Sequence, residues 1–520
     1  MPRPIRECST LILGAACAPI EARMPPMNAH IAAPNRSPLS VVEASLECDA
    51  PTIEESIRTV REDAPLVEVV RAPAPASPTS MPLAPTLPSP ALPVAGAPLP
   101  APASSPLEDA LGLASPLARR IAPGSVGAHH WNLDPNLTFL NHGSYGSTPR
   151  AALRAQSEYR ERMERDPVRF FKVDLEHLMD GVREKLGAFI NCPPADLAPI
   201  CNATWALCTI LKATRLEAGD EVLVTDHEYG SLMNELERVA ARAGAVVVKV
   251  AIPFPIRSSQ DVVERYVAAI TPRTKLAFIA HITSASSMIY PVAPILRELN
   301  ARGVDSVLDG AHSPGQIPVD IRALAPTYFV GSGHKWLSGP KGSGFMYVRP
   351  DRQHVFRPLA LSSRAAKVRP ERALFLRDFD YQGTDDYTPV LALPHSIEAL
   401  GSLLPGGWPQ LLRQNHELAI KGRDILCQAL EIEAPTPDAM VGSMATLLIP
   451  EPREALRDRP TAYDDALQDV LYEKYRIVVP IWRLGSTNQR VVRISAHLYN
   501  SPAEYEYLAH ALKTELALEG

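Results

Sequence analysis

The sequence predicts an α/β protein built on a mostly parallel sheet, and three observations lead there. Short, near-continuously apolar runs recur between residues 221 and 348. Longer amphipathic stretches separate them. Residues with reactive side chains gather just after the apolar runs, where open α/β sheets bind their ligands.

Taken in order, the apolar runs are Glu221-Val-Leu-Val-Thr225, Val246-Val-Val-Lys-Val-Ala-Ile252, Lys275-Leu-Ala-Phe-Ile-Ala-His281, Ser306-Val-Leu-Asp309, Tyr328-Phe-Val330 and Gly344-Phe-Met-Tyr-Val348. Strands covered by helices on both faces need no polar alternation, so they read as continuous hydrophobic runs. Residues 262–269 and 294–302 read as two of the covering helices. Beyond about residue 394 the rhythm changes. Leu467, Val470, Leu471 and Tyr475 recur at helical spacing, two strand-like runs follow at 476–482 and 490–495, and a helix closes the chain from about Pro502. That pattern predicts a smaller α+β domain.

Composition sets the outer limits. Twelve prolines fall between Pro73 and Pro106, and no aromatic residue precedes Trp131. Such a stretch buries too little apolar surface to offset the entropy of ordering it. The expected organisation is a Pro/Ala-rich disordered extension over 1–125, an N-terminal segment with the large domain over 126–393, and a small domain over 394–520. A net charge of −6 leaves no electrostatic footprint for nucleic acid. No apolar run reaches the ~18 residues of a membrane span. Seven cysteines without CxxC spacing speak against a disulfide framework or a structural zinc, and no metal is expected. Arg3 and Arg6 precede a short apolar run ending at Cys17, but Glu7 interrupts the charged region. A cytoplasmic setting is therefore expected, with a mis-set start codon as another source of the prefix.

The chemistry gathers around two strand ends. Asp309-Gly-Ala-His312 closes one apolar run, and Gly331-Ser-Gly-His-Lys335-Trp-Leu follows the next. A lysine facing an acid across neighbouring strand ends is the pair that pyridoxal phosphate chemistry requires. The amine condenses with the cofactor aldehyde, and the carboxylate keeps the pyridine nitrogen protonated. Asn202-Ala-Thr204 opens a helix whose N-terminus suits a phosphate, with an ordinary Asn202 cap as the alternative. Ser332 and His334 flank the lysine and are further phosphate candidates. His227 follows another strand end and would either stack on the cofactor ring or be satisfied within its loop. Arg493 lies inside an apolar strand and calls for an anion, either a substrate carboxylate or an internal acid. P-loop, GxGxxG and HExxH patterns are all incomplete.

These segments, in this order, resemble the class V aminotransferase family of fold-type I pyridoxal phosphate enzymes. Asp309-Gly-Ala-His-Ser-Pro-Gly315, Gly331-Ser-Gly-His-Lys-Trp-Leu337 and Gly383-Thr-Asp385 carry the likeness. Thr225-Asp-His-Glu-Tyr229, Arg493-Ile-Ser-Ala-His-Leu-Tyr-Asn500 and Leu140-Asn-His-Gly-Ser-Tyr-Gly146 resemble the isopenicillin N epimerase-like subgroup. The resemblance implies a seven-stranded-type sheet in the large domain. It makes Lys335 the Schiff-base residue, Asp309 the pyridinium partner and His227 the stacking ring. It gives Ala203, Thr204, Ser332 and His334 to the phosphate, places His312 at the cofactor, and gives Arg493, Asn141, His142 and Tyr145 to the substrate. It also implies a homodimer in which Gly383 and Thr384 reach the neighbouring subunit's phosphate.

The expected function is α-carbon chemistry on an amino-acid-like small molecule, with epimerisation leading and carbon–sulfur lysis of a cysteine conjugate or sulfoxide as the alternative. Epimerisation needs a second proton carrier, for which His142, Tyr145 and Tyr229 are candidates. A regulatory sensor on the same fold is the rival from another class, although acidic pairs at 54–55 and 62–63 sit badly with a DNA-binding prefix. Residues 480–490 contain no cysteine, which argues against persulfide transfer in the manner of the family's cysteine desulfurases.

Overall fold

A computed structural model describes residues 67–70 and 127–519, apart from 458 and 486. The strands are β1 (Val67–Val70), β2 (Thr138–Phe139), β3 (Leu197–Ile200), β4 (Glu221–Thr225), β5 (Val246–Val250), β6 (Thr274–Ala280), β7 (Asp305–Asp309), β8 (Tyr328–Ser332), β9 (Gly344–Val348), β10 (Met444–Leu448), β11 (Ile477–Val478), β12 (Ile481–Arg483) and β13 (Arg490–Ser495).

The large sheet runs β1-β5-β4-β6-β7-β8-β9-β3. Strands β5, β4, β6, β7 and β8 are parallel neighbours, while β9 is antiparallel to both β8 and β3. Seven of these strands, β3 to β9, form the expected mostly parallel sheet. The eighth, Val67–Val70, lies inside the stretch expected to be disordered over 1–125 and pairs antiparallel with β5. The rest of that stretch, with the leader-like residues, lies outside the described residues.

Side-chain alternation divides the sheet between two cores. Leu223, Val248, Ile279, Leu308 and Phe329 face one layer, with Ile295, Leu296 and Leu299 of the Val292–Ala301 helix. Val222, Val224, Phe278, Val307 and Val330 face the other, with Leu207 and Ile210 of the Ala203–Ala213 helix and Leu232 and Leu236 of the Gly230–Ala243 helix. Both faces are covered, so the strands are apolar throughout.

A second sheet, β10-β13-β12, is antiparallel. It packs with the Gly407–Leu430 and Pro502–Glu519 helices. The run expected as one strand over 476–482 is two strands, because Pro480 has no N–H for a ladder and instead accepts from Arg493 N–H at 3.2 Å. The first half, β11, pairs with β2. That pairing, with a bond from Ser495 N–H to the Leu140 carbonyl at 2.8 Å, draws the 141–146 segment against β13.

A buried ion cluster anchors the segment leading to Gly383. Asp380 is wholly buried between Arg183 and Arg372, and Arg372 also reaches Asp180 at 2.9 Å. Removing one partner of such a cluster strands the remaining charges in a low dielectric. Asp380→Ala is expected to cost about 3–5 kcal/mol of stability, read as a lower denaturant midpoint in equilibrium unfolding.

Candidate functional site

The carboxyl ends of β3, β4, β7 and β8 bring together most of the residues singled out in the sequence. Asp309 and Ser332 are the last residues of β7 and β8, and a turn after Ser332 delivers Lys335. Lys335 Nζ lies 2.8 Å from His312 Nε2. Burial, and then the Arg493 cation, hold this amine down to about 7 against the opposing pull of Asp309. An amine so depressed has a substantial neutral fraction at neutral pH, about half, and the neutral form is the one that a nucleophile or proton acceptor needs. Asp309 is buried and accepts from Ala311 N–H at 2.8 Å. Burial raises its carboxyl, a shift that an incoming cationic ring nitrogen would reverse.

The Asn202 cap is made, with its carbonyl oxygen accepting from Trp205 N–H at 3.0 Å. The cap leaves the N–H groups of Ala203 and Thr204 without an acceptor among the described residues. His334 is held near the Ser343 carbonyl at 3.3 Å, and burial with the Lys335 charge pushes it down to about 4. His227 is buried with both nitrogens engaged, Nδ1 to Ser286 Oγ at 2.8 Å and Nε2 to the Ile252 carbonyl at 2.9 Å. Edge-on anchoring of this kind fixes the ring plane.

Arg493 is 1% exposed on β13. Its Nη1 donates to the Ser284 carbonyl at 2.7 Å, and its Nη2 to Ser144 Oγ at 2.9 Å and Asn141 Oδ1 at 3.2 Å. The Trp482 ring lies 4.7 Å away. No acid pairs with it among the described residues, its Nε has no partner, and burial alone pushes it down to about 9. The internal salt bridge weighed from sequence is therefore absent among the described residues.

The 141–146 segment belongs to this site in a way its sequence does not disclose. His142 is wholly buried, with Nε2 2.9 Å from the Lys335 carbonyl and Nδ1 2.7 Å from Tyr499 Oη. Burial pushes it down to about 3. With both nitrogens committed to protein partners, His142 acts in this structure as a clasp on the Lys335 backbone. Tyr145 is 74% exposed. The Lys335 amine stands 5.8 Å from the Tyr229 ring centroid. Gly383 and Thr384 line a cavity of about 270 Å³ with Cys201 and Trp205, and Thr384 Oγ1 bonds Tyr381 Oη at 2.7 Å.

Sequence reasoning assigned no role to Trp336, Ser144, Ser284, Ser286, Trp482 or Tyr499. Only Trp336 carried a signal, its place beside the lysine. The donor set fits pyridoxal 5′-phosphate: a depressed amine, a buried acid one strand over, and free N–H groups at a helix start. Among the described residues no group of side chains has metal-ligand geometry, and no helix is long and apolar enough to cross a membrane.

Comparison with known proteins agrees with this donor set. The class V aminotransferase family model matches residues 140–434. Isopenicillin N epimerase of Amycolatopsis lactamdurans is 34% identical over 396 residues, covering 74% of this chain and 96% of its own. A probable chloroplastic L-cysteine desulfhydrase of Arabidopsis thaliana is 27% identical, covering 74% and 83%. Among solved structures, the cystine C–S lyase C-DES with its product cysteine persulfide superposes at TM-score 0.59 with 21% identity, covering 73% and 97%. The cysteine desulfurase CsdA of Escherichia coli superposes at 0.60 with 18% identity, covering 75% and 98%. At these identities the structural likeness speaks for the fold.

Gly146 tests the clasp. Its φ is +70°, and an added Cβ would lie 1.9 Å from the His334 carbonyl oxygen. Gly146→Ala therefore meets both backbone strain and a collision with the lysine loop. The expected loss is at least ~2 kcal/mol, measured by chemical denaturation, together with a slower reaction of Lys335 with added cofactor.

Proposed function

The chain belongs to the class V aminotransferase family, and on that premise we propose that it is an isopenicillin N epimerase-like enzyme working at the α-carbon of an amino acid or amino-acid-derived substrate. Its cofactor is pyridoxal 5′-phosphate. When bound, that group supplies an aldehyde that condenses with an amine and a ring that delocalises the electron pair left at the α-carbon.

The observation carrying the proposal is the buried, acid-free Arg493 in electrostatic reach of Lys335. A planar guanidinium with an unused N–H suits a carboxylate, and seating the substrate carboxylate there would set its α-carbon toward the lysine. In this reading Lys335 Nζ accepts the α-proton as a neutral amine. Asp309 holds the ring-nitrogen proton, and His227 supports the ring. Ala203, Thr204, Ser332 and His334 hold the phosphate, while His312 donates at the cofactor. Asn141 and Ser144 orient Arg493. Of the three second proton carriers considered, Tyr229 is favoured by its ring standing 5.8 Å from the Lys335 amine.

The same proposal places the cofactor-binding unit at 126–393 and the small domain at 394–520. It takes the active form as a homodimer with Gly383 and Thr384 reaching the partner, and a reducing, cytoplasmic compartment for the free thiols of Cys192, Cys201, Cys208 and Cys427. A second reading, carbon–sulfur lysis, is favoured by the similarity to plant proteins named as L-cysteine desulfhydrases. Persulfide transfer stays outside the proposal, since residues 480–490 hold no cysteine.

Amino acids and cysteine conjugates incubated with the holoenzyme in heavy water separate these readings by mass spectrometry and chiral chromatography. Deuterium at the α-carbon with inverted configuration and unchanged composition is the expected result. Keto acid with ammonia and a sulfur fragment would replace the epimerase by the lyase. No α-exchange on any α-amino acid would sink both.

Arg493→Met removes the carboxylate seat. For whichever substrate turns over, kcat/KM is expected to fall ~30-fold to several thousand-fold, the ~2–5 kcal/mol of a lost buried charge pair. Undiminished kcat/KM would show that the carboxylate binds elsewhere.

A further inference from the structure

Trp336 follows the lysine directly, and the reaction assigns it nothing. Its ring is 1% exposed, yet its indole N–H is not idle: Nε1 lies 3.3 Å from His312 Nδ1. An indole nitrogen only donates. His312 Nδ1 must therefore offer its lone pair, which places the imidazole proton on Nε2.

The next contact then has a determined sense. His312 Nε2 stands 2.8 Å from Lys335 Nζ. With a proton on Nε2, an ammonium at Nζ would set donor against donor. A neutral amine has one lone pair, and through it accepts a hydrogen bond from Nε2–H. We propose that Trp336 is a positioning residue: through its indole N–H it locks His312 in the Nε2–H tautomer, and His312 in turn keeps Lys335 as a neutral amine. The inference rests on the reading of Lys335 as the reactive lysine and adds what prepares it.

The surroundings favour this arrangement. The Trp336 ring stacks on His497 at 6.2 Å and 26° and meets His142 at 4.8 Å, so the indole is gripped in one orientation. His312 is fully buried and fixed through its own carbonyl, which accepts from Gln316 Nε2 at 2.8 Å. The charged or titratable groups acting on the pair are Arg493, His334 and His142, which disfavour added positive charge, and Asp309, which favours it. Burial keeps His312 well below its ordinary range, so it stays a single neutral tautomer across the working pH. Without the indole donor the ring is free to move its proton to Nδ1. Nε2 then becomes an acceptor, which suits an ammonium.

The test measures Lys335 directly in the full-length, cofactor-free protein. Competitive labelling with 1-fluoro-2,4-dinitrobenzene, followed peptide by peptide by mass spectrometry across pH, gives the midpoint at which the Lys335 amine loses its proton. The wild-type midpoint is expected near 7. In Trp336→Phe it moves up by ~1 unit, so that below the midpoint Lys335 labels ~10-fold more slowly. In a His312→Ala background the same Trp336→Phe change moves nothing further. An unchanged midpoint in the single variant overturns the proposal. So does an equal shift in both backgrounds, which would mean that the indole acts through packing. The tautomer is also readable without mutation, from the ¹⁵N shifts of His312 in the wild-type protein, where a protonated Nδ1 would overturn the lock. The cofactor reading fails separately: if Lys335→Ala still forms a borohydride-reducible adduct with pyridoxal 5′-phosphate, another lysine is the anchor.

Discussion

The grip on the Lys335 backbone is the constraint on which the rest of the site depends. His142 donates to the Lys335 carbonyl, Gly146 packs under His334, and Lys341 Nζ donates to the Gly146 carbonyl at 3.0 Å. The same segment touches Arg493 through Asn141 and Ser144, and Gly143 N–H donates to Ser495 Oγ at 3.0 Å. One short stretch thus ties the lysine turn of the large sheet to the arginine strand of the small one. Lys335 is held through its backbone carbonyl, and the Arg493 guanidinium through Asn141, Ser144 and the Ser284 carbonyl, so neither long side chain is left to position itself alone. Precision of this kind is what a reaction between two bound groups demands.

Electrostatically, the site is arranged for anions. Arg493 and Lys335 share a buried space whose nearby acid, Asp309, is itself raised by burial. A phosphate and a carboxylate would relieve that imbalance, so the site presents a field that anionic ligands complete. Unpaired buried polar atoms are costly, and two of them lie here: Arg493 Nε on β13, and Glu228 Oε2 beside Asp309, where burial and the Asp309 charge push the Glu228 carboxyl up to about 7.

Legibility divided along physical lines. The β4–β9 runs and the helices between them were readable because burial on two faces leaves a local, continuous apolar signal. Lys335, Asp309 and His312 were readable because strand ends in a parallel sheet share an edge. The strands Leu197–Ile200 and Met444–Leu448 were not identified: the first contains Pro199, and the second is short and flanked by Gly442 and Pro450. The contact of His142 with the Lys335 carbonyl was not readable, because a histidine in a glycine-rich motif looks the same whether it faces a ligand or a backbone carbonyl.

By itself the sequence determined the α/β order, the lysine–acid pair and the arginine that wants an anion, since each follows from periodicity or from a residue type within a few positions. Only the tertiary structure decided that Arg493 has no internal acid among the described residues, that His142 clasps Lys335 from 193 positions away, and that the Trp336 indole meets His312 Nδ1. The reason is that hydrogen-bond partners across distant segments are set by how the two sheets are brought together, and no local period records that approach.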